Sequence, residues 1–179
     1  MPRFAAPFAV TVLLASSALL ASTAAADAAV QCEIRENGEP ASGTMLILDG
    51  DKEVAQTSCG KPLSLPPGSY TAVLQLDGAI DGPEQRIPLT VGKDAPKPVK
   101  ADFATGTLEV KITSESKAAA GMAIIRKDGK QIGTLGSGVP AHLSAGTYEI
   151  VVRHRAESKT LPSVVLAKGD KKTLDVSFP

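Results

Sequence analysis

Apolar and polar residues alternate with a period of two along most of this chain, in short runs cut by Gly, Pro, Asn and Asp. One stretch shows the pattern best. Leu65-Pro66-Pro67-Gly68-Ser69-Tyr70-Thr71-Ala72-Val73-Leu74 is a turn ending in Gly, then Ser, Tyr and an apolar run. It returns 78 residues later as Leu143-Ser144-Ala145-Gly146-Thr147-Tyr148-Glu149-Ile150-Val151-Val152. Sliding residues 43–74 by 78 needs no gap and matches 9 of 32 residues, among them Gly43 with Gly121, Ile47 with Ile125 and Tyr70 with Tyr148. A turn-and-strand unit that recurs at fixed spacing makes the chain a tandem of one fold.

Each copy reads as seven short strands, and no segment has a helical period. The first copy places them over 29–35, 44–48, 52–57, 62–65, 69–76, 85–91 and 98–104. The second places them over 107–113, 122–126, 130–135, 140–143, 147–154, 160–167 and 171–178. Asp49-Gly50-Asp51 and Lys127-Asp128-Gly129-Lys130 are hairpin turns. Alternation puts Tyr70, Ala72, Leu74 and Leu76 on one face, and Tyr148, Ile150 and Val152 on its counterpart; these faces are the expected cores. The expected fold is therefore all-β: two tandem seven-stranded Ig-like or prealbumin-like β-sandwiches, 27–104 and 105–179. Sandwiches this small are marginal alone. Phe103-Ala104-Thr105-Gly106-Thr107 leaves no slack between them, so an elbow is expected. Ala95-Pro96-Lys97-Pro98 reads as edge protection or a stiffened turn.

Residues 1–26 fit neither copy. Arg3, an apolar run from Phe4 to Ala21 and small residues at Ala24-Ala25-Ala26 read as a cleaved secretory signal peptide ending before Asp27. No charged stop follows it, and no later stretch is long enough to span a bilayer, so no membrane span is expected in the mature chain. The Ala-rich leader suggests a bacterial protein, periplasmic or secreted.

Charge adds an asymmetry. Residues 27–105 carry 7 Lys and Arg against 12 Asp and Glu, net −5, while 106–179 carry 11 against 7, net +4. Drift between copies accounts for this, and so does a dipolar pair that packs head to tail or faces different partners. There is no basic stripe of the kind that binds nucleic acid. Trp is absent and aromatic residues are few, which argues against a stacking platform for sugars or bases.

Candidate chemistry is sparse. Cys32 and Cys59 are the only cysteines, and in an exported β domain the pair implies a disulfide. The aligned residues are Val110 and Ser137, which are expected to lie close without a bridge. His142 and His154 lack partners at metal-ligand spacing, so neither a metal nor another cofactor is expected. No nucleophile motif is present, and the reading is not an enzyme. Asp77, Asp81 and Glu84 are calcium candidates, though Asp and Gly are ordinary turn residues. Arg153, His154, Arg155 and Lys159 form a candidate polar patch for an anionic polymer or acidic partner, against the plainer reading of a solvated strand end.

Asn37-Gly38-Glu39-Pro40, Asp49-Gly50-Asp51-Lys52, Leu65–Tyr70, Lys127–Lys130 and Leu143–Tyr148 together follow a family pattern. The chain resembles the carboxypeptidase regulatory-like, PEGA-like and related prealbumin-like β-sandwich repeats of bacterial envelope proteins. The resemblance implies a non-catalytic spacer or binding unit with an envelope or secreted protein partner. The alternative is a protein that binds a small ligand, ion or anionic polymer at the inter-domain elbow or the acidic loops.

Overall fold

The computed structural model describes residues 27–92 and 98–179. The signal-peptide reading of 1–26 and most of Ala95–Pro98 lie outside the described residues. Every regular element described is a strand. The first copy runs β1 (Ala28–Val30), β2 (Cys32–Glu36), β3 (Glu39–Ala41), β4 (Gly43–Asp49), β5 (Lys52–Ser58), β6 (Leu63–Leu65), β7 (Gly68–Leu76), β8 (Glu84–Val91) and β9 (Val99–Phe103). The second runs β10 (Thr105–Ser114), β11 (Lys117–Ala118), β12 (Met122–Lys127), β13 (Lys130–Gly136), β14 (Ala141–Ser144), β15 (Gly146–His154), β16 (Glu157–Leu166) and β17 (Lys171–Phe178).

Each copy packs a four-stranded antiparallel sheet, β5-β4-β7-β8 or β13-β12-β15-β16, on a second layer: the two sheets β1-β6 and β3-β2-β9 in the first copy, and the four-stranded mixed sheet β11-β10-β14 with β17 on β10 in the second. In that layer the last strand of each copy pairs in parallel with a strand of its opening segment: β9 with β2, and β17 with β10. Registers repeat at the same spacing of 78, with Ala28 opposite Leu65 and Gly106 opposite Leu143. The opening strand expected over 29–35 is two strands, because its partner changes at Gln31 from β6 to β9, whereas β10 runs unbroken. The short β3 and β11 also go beyond the expected set. They are too brief to show alternation, and β3 is folded back by Asn37-Gly38, both with positive φ (57° and 92°) as a two-residue hairpin requires.

Buried residues fall into two clusters, one per copy. Met45, Ile47, Ala72 and Leu74 centre the first, and Val110, Ile125, Tyr148 and Ile150 the second. The repeated motif has a direct structural reason. The Tyr148 hydroxyl donates to Ser144 O at 2.5 Å, and the Tyr70 hydroxyl donates to Pro66 O at 3.1 Å. Each ring thus pins its own turn to the core strand that follows. Gly43 and Gly121 are spacing residues: a Cβ at Gly43 would sit 2.3 Å from both Gln75 O and Ile34 Cδ1, and one at Gly121 2.6 Å from Arg153 O and Ile112 Cδ1.

Cys32 and Cys59 form a disulfide with Cα atoms 4.9 Å apart. Val110 and Ser137 meet in the same way without one. Gly60 N donates to Cys32 O at 3.3 Å, and Gly138 N to Val110 O at 2.8 Å. In place of the bridge, Ser137 Oγ accepts a hydrogen bond from Ile112 N at 3.0 Å.

Candidate functional site

Only Ala104 separates β9 from β10, and the chain is gripped as it passes. Thr105 is 1% exposed. A buried hydroxyl and amide need partners, and the tip of the β2–β3 hairpin supplies them. Thr105 Oγ1 donates to Glu36 Oε1 at 2.5 Å and accepts from Asn37 Nδ2 at 3.1 Å, while Thr105 N donates to Asn37 Oδ1 at 3.0 Å. Asn37 N donates to Phe103 O at 2.8 Å, so one residue holds both sides of the junction. Gly38 N donates to Asp102 Oδ1 at 3.0 Å. The other oxygen of that carboxylate lies 3.6 Å from Lys168 Nζ of the second copy.

A second grip comes from the connection between β7 and β8. Ala79 bridges His142 in parallel, and Ile80 N donates to His142 O at 3.0 Å. The Asp81 carboxylate accepts from Ser144 N at 3.1 and 3.2 Å. Ala145 N donates to Ala104 O at 2.8 Å. Ile80 Cδ1 lies 2.7 Å from where a Cβ on Gly133 would be, so Gly133 makes room for it. The outer edge of β14 is therefore covered by the first copy, which removes an exposed row of edge donors and acceptors.

The electrostatics follow the charge split. Glu36 Oε1 lies 3.2 Å from His142 Nδ1, and Asp102 faces Lys168; in both pairs the acid belongs to the first copy. The Thr105 hydroxyl, and then His142, hold the Glu36 carboxyl below the usual glutamate range against the opposing effect of burial. A carboxyl lowered on folding contributes stability above its ordinary pKa and loses it as pH falls through the lower folded value. Glu36→Gln is therefore expected to flatten the loss of stability below about pH 4.3. Urea midpoints across the acid range check this. Burial, with the Asp81 charge adding to it, pushes the Tyr148 phenol above its usual range. The elbow also carries an open pocket of about 240 Å³ lined by Glu36, Asn37, Thr105, His142, Asp170 and Lys171, among others.

The residues singled out in the sequence distribute differently. The Asp81 carboxylate holds Ser144 N and the Glu84 carboxylate pairs with Arg86 at 3.1 Å, while Asp77 is tied only through its backbone, its N–H donating to Ser42 O. Among the described residues, no three His, Cys, Asp or Glu side chains are grouped to hold a metal ion. Of the candidate patch, Arg153, Arg155 and Lys159 are exposed and His154 is buried. His154 is 8% exposed, its Nδ1 lies 2.7 Å from Ala120 O, and its ring lies 5.6 Å from that of Phe178. Lys159 reaches Ser177 O and sits over the Phe178 ring, while Arg153 is paired opposite Met122 in the large sheet.

The sequence does not point to Glu36, and it marks Asn37 and Thr105 only as parts of the Asn37–Pro40 motif and of the short junction, not as site residues. A signal did exist in Pro66-Pro67 against Ser144-Ala145, the variable part of the repeated motif. The N–H groups of Ser144 and Ala145 are two that bind the first copy, and proline has none. Asp81→Ala leaves the Ser144 N–H without its partner, at an expected cost of about 1–2 kcal/mol to the junction. Relaxation measurements on backbone ¹⁵N nuclei should then find the two copies tumbling more independently. Unchanged joint tumbling would remove Asp81 from the lock.

No family model matches this chain, and no curated protein matches it. Among solved structures it is similar to the Bacillus anthracis TIE protein, at 14% identity and TM-score 0.35, over 84% of this chain and 34% of that one. The chain thus spans about a third of that protein. It is also similar to a candidate adhesin from Bacteroides ovatus, at 10% identity and TM-score 0.42, over 78% of this chain and 76% of that one. A third is the pilus adhesin SpaC from Lactobacillus rhamnosus GG, at 12% identity and TM-score 0.31, over 84% and 30% of the two chains. These are likenesses of β-sandwich architecture, and no role is carried over from them.

Proposed function

We propose that this protein is an exported, non-catalytic structural or interaction unit of the bacterial envelope, built from two sandwiches, 27–104 and 105–179, held at a fixed elbow. One observation carries the reading. The side chains at the junction that could do chemistry are engaged in holding it: Glu36 and Asn37 on Thr105, Asp81 on Ser144, Asp102 on Gly38 and Lys168. Groups committed to such bonds position one sandwich against the other. The disulfide supports an oxidising location, and the leader-like 1–26 supports export. The carboxypeptidase regulatory-like or PEGA-like resemblance belongs with this proposal.

Cell fractionation combined with thiol alkylation and in-cell crosslinking tests it. The expected result is an extracytoplasmic chain starting at Asp27, with both cysteines oxidised, crosslinked to an envelope component. A cytoplasmic chain with free thiols would sink the reading.

A further inference from the structure

The junction is a heterologous contact: one end of a sandwich grips the other end of the next. Contacts of this kind propagate into open filaments unless something stops them. We propose that four positions of the first copy close its gripped end to a second sandwich of the first copy's kind, so that the two copies join in one order only. The gripped end of the second copy presents Thr105, His142, Ser144 and Ala145. Shifted by 78, the same positions in the first copy are Asp27, Ser64, Pro66 and Pro67. The backbone there is closely alike, since β1 pairs with β6 in the register with which β10 pairs with β14.

Each difference removes a specific contact. Pro66 has no N–H for an incoming Asp81 carboxylate, which would be enclosed without its donor. Pro67 has none for an incoming Ala104 carbonyl. Asp27 sets a carboxylate where Glu36 of the incoming copy needs a hydroxyl, so attraction becomes like-charge repulsion. Ser64 is too short to replace the His142 ring.

The gripping end is mismatched in the same way. Where the first copy has Glu36 and Asn37 at its hairpin, the second has Ser114 and Glu115. Where the first has the gripping connection 77–83, the second turns between β15 and β16 through Arg155-Ala156 alone. The two copies fit each other in one order, and neither fits itself.

Two lengthened chains test this, each with an added 27–104 ahead of the native 27–179. The first keeps native residues. The second carries Asp27→Thr, Ser64→His, Pro66→Ser and Pro67→Ala in its middle copy. The same four substitutions in the native chain serve as a folding control, through retention of the Cys32–Cys59 bond and of the cooperative urea transition. The leading sandwich is expected to tumble independently in the first chain and with the rest in the second, by ¹⁵N relaxation and small-angle scattering. Joint tumbling of the native-residue chain would overturn the proposal, as would a loose junction in a substituted chain whose control is folded. Sedimentation of the wild-type protein should show no concentration-dependent head-to-tail series, and finding one would also overturn it.

Discussion

Gly43→Ala is expected to destabilise the first sandwich by about 3 kcal/mol and to leave the second folded. The added methyl would sit 2.3 Å from Gln75 O and from Ile34 Cδ1. Ile34 could change rotamer, but Gln75 O belongs to β7, which is held on both sides by β4 and β8. Relief therefore requires a shift of core backbone. The matched substitution Gly121→Ala meets Arg153 O and Ile112 Cδ1 at 2.6 Å, and a smaller loss is expected there. Gly92, where an added Cβ meets nothing within 4 Å among the described residues, is the control and should move by less than about 0.5 kcal/mol. Urea unfolding followed by amide resonances of Ala72 and Ile150 reports each copy separately. If Gly43→Ala unfolds at the wild-type midpoint, close packing is not why glycine stands at both positions.

The second large effect is loss of the disulfide. Cys32→Val with Cys59→Ser gives the first copy the residues that the second already uses at Val110 and Ser137. Removing a cross-link between residues 27 apart returns about 3–4 kcal/mol of freedom to the unfolded chain. A serine hydroxyl bonded as Ser137 is to Ile112 N would recover about 1 kcal/mol. The expected net loss is about 2–3 kcal/mol, confined to the first copy. A larger loss would mean that the Ser137 hydrogen bond does not form there. No loss would mean that the bridge adds nothing beyond the contacts around it.

Much of the fold was legible because a sheet writes a period of two into the chain. Tyr148, Ile150 and Val152 lie inside, as their alternation requires. The same alternation places His154 inside, and it is buried; its cationic neighbours Arg153 and Arg155 suggested a surface patch instead. The break at Gln31 was not legible, since Val30, Cys32 and Ile34 face the core on both sides of it and only the hydrogen-bonding partner changes.

The elbow was readable as a short linker but not as a lock. Asn37 and Thr105 are 68 residues apart, and local patterning carries no information about that pairing. Asp81 looked like any turn aspartate because its partner, a backbone N–H, has no side-chain signature. The charge split was visible, and Asp102 beside Lys168 gives it a place in the structure.

The parallel pairing of each copy's last strand with its opening segment bears on how the protein carries force. In the second copy the chain enters on β10 and leaves on β17, adjacent strands that point the same way, and in the first β2, which follows β1, lies beside β9 in the same sense. Tension applied through the two ends of a copy therefore pulls these neighbours lengthwise past each other. The ladder hydrogen bonds, including those along the eight residue pairs of β10–β17, are loaded together instead of opening one by one. Under such a pull the pairing that closes each small sandwich is sheared and not peeled.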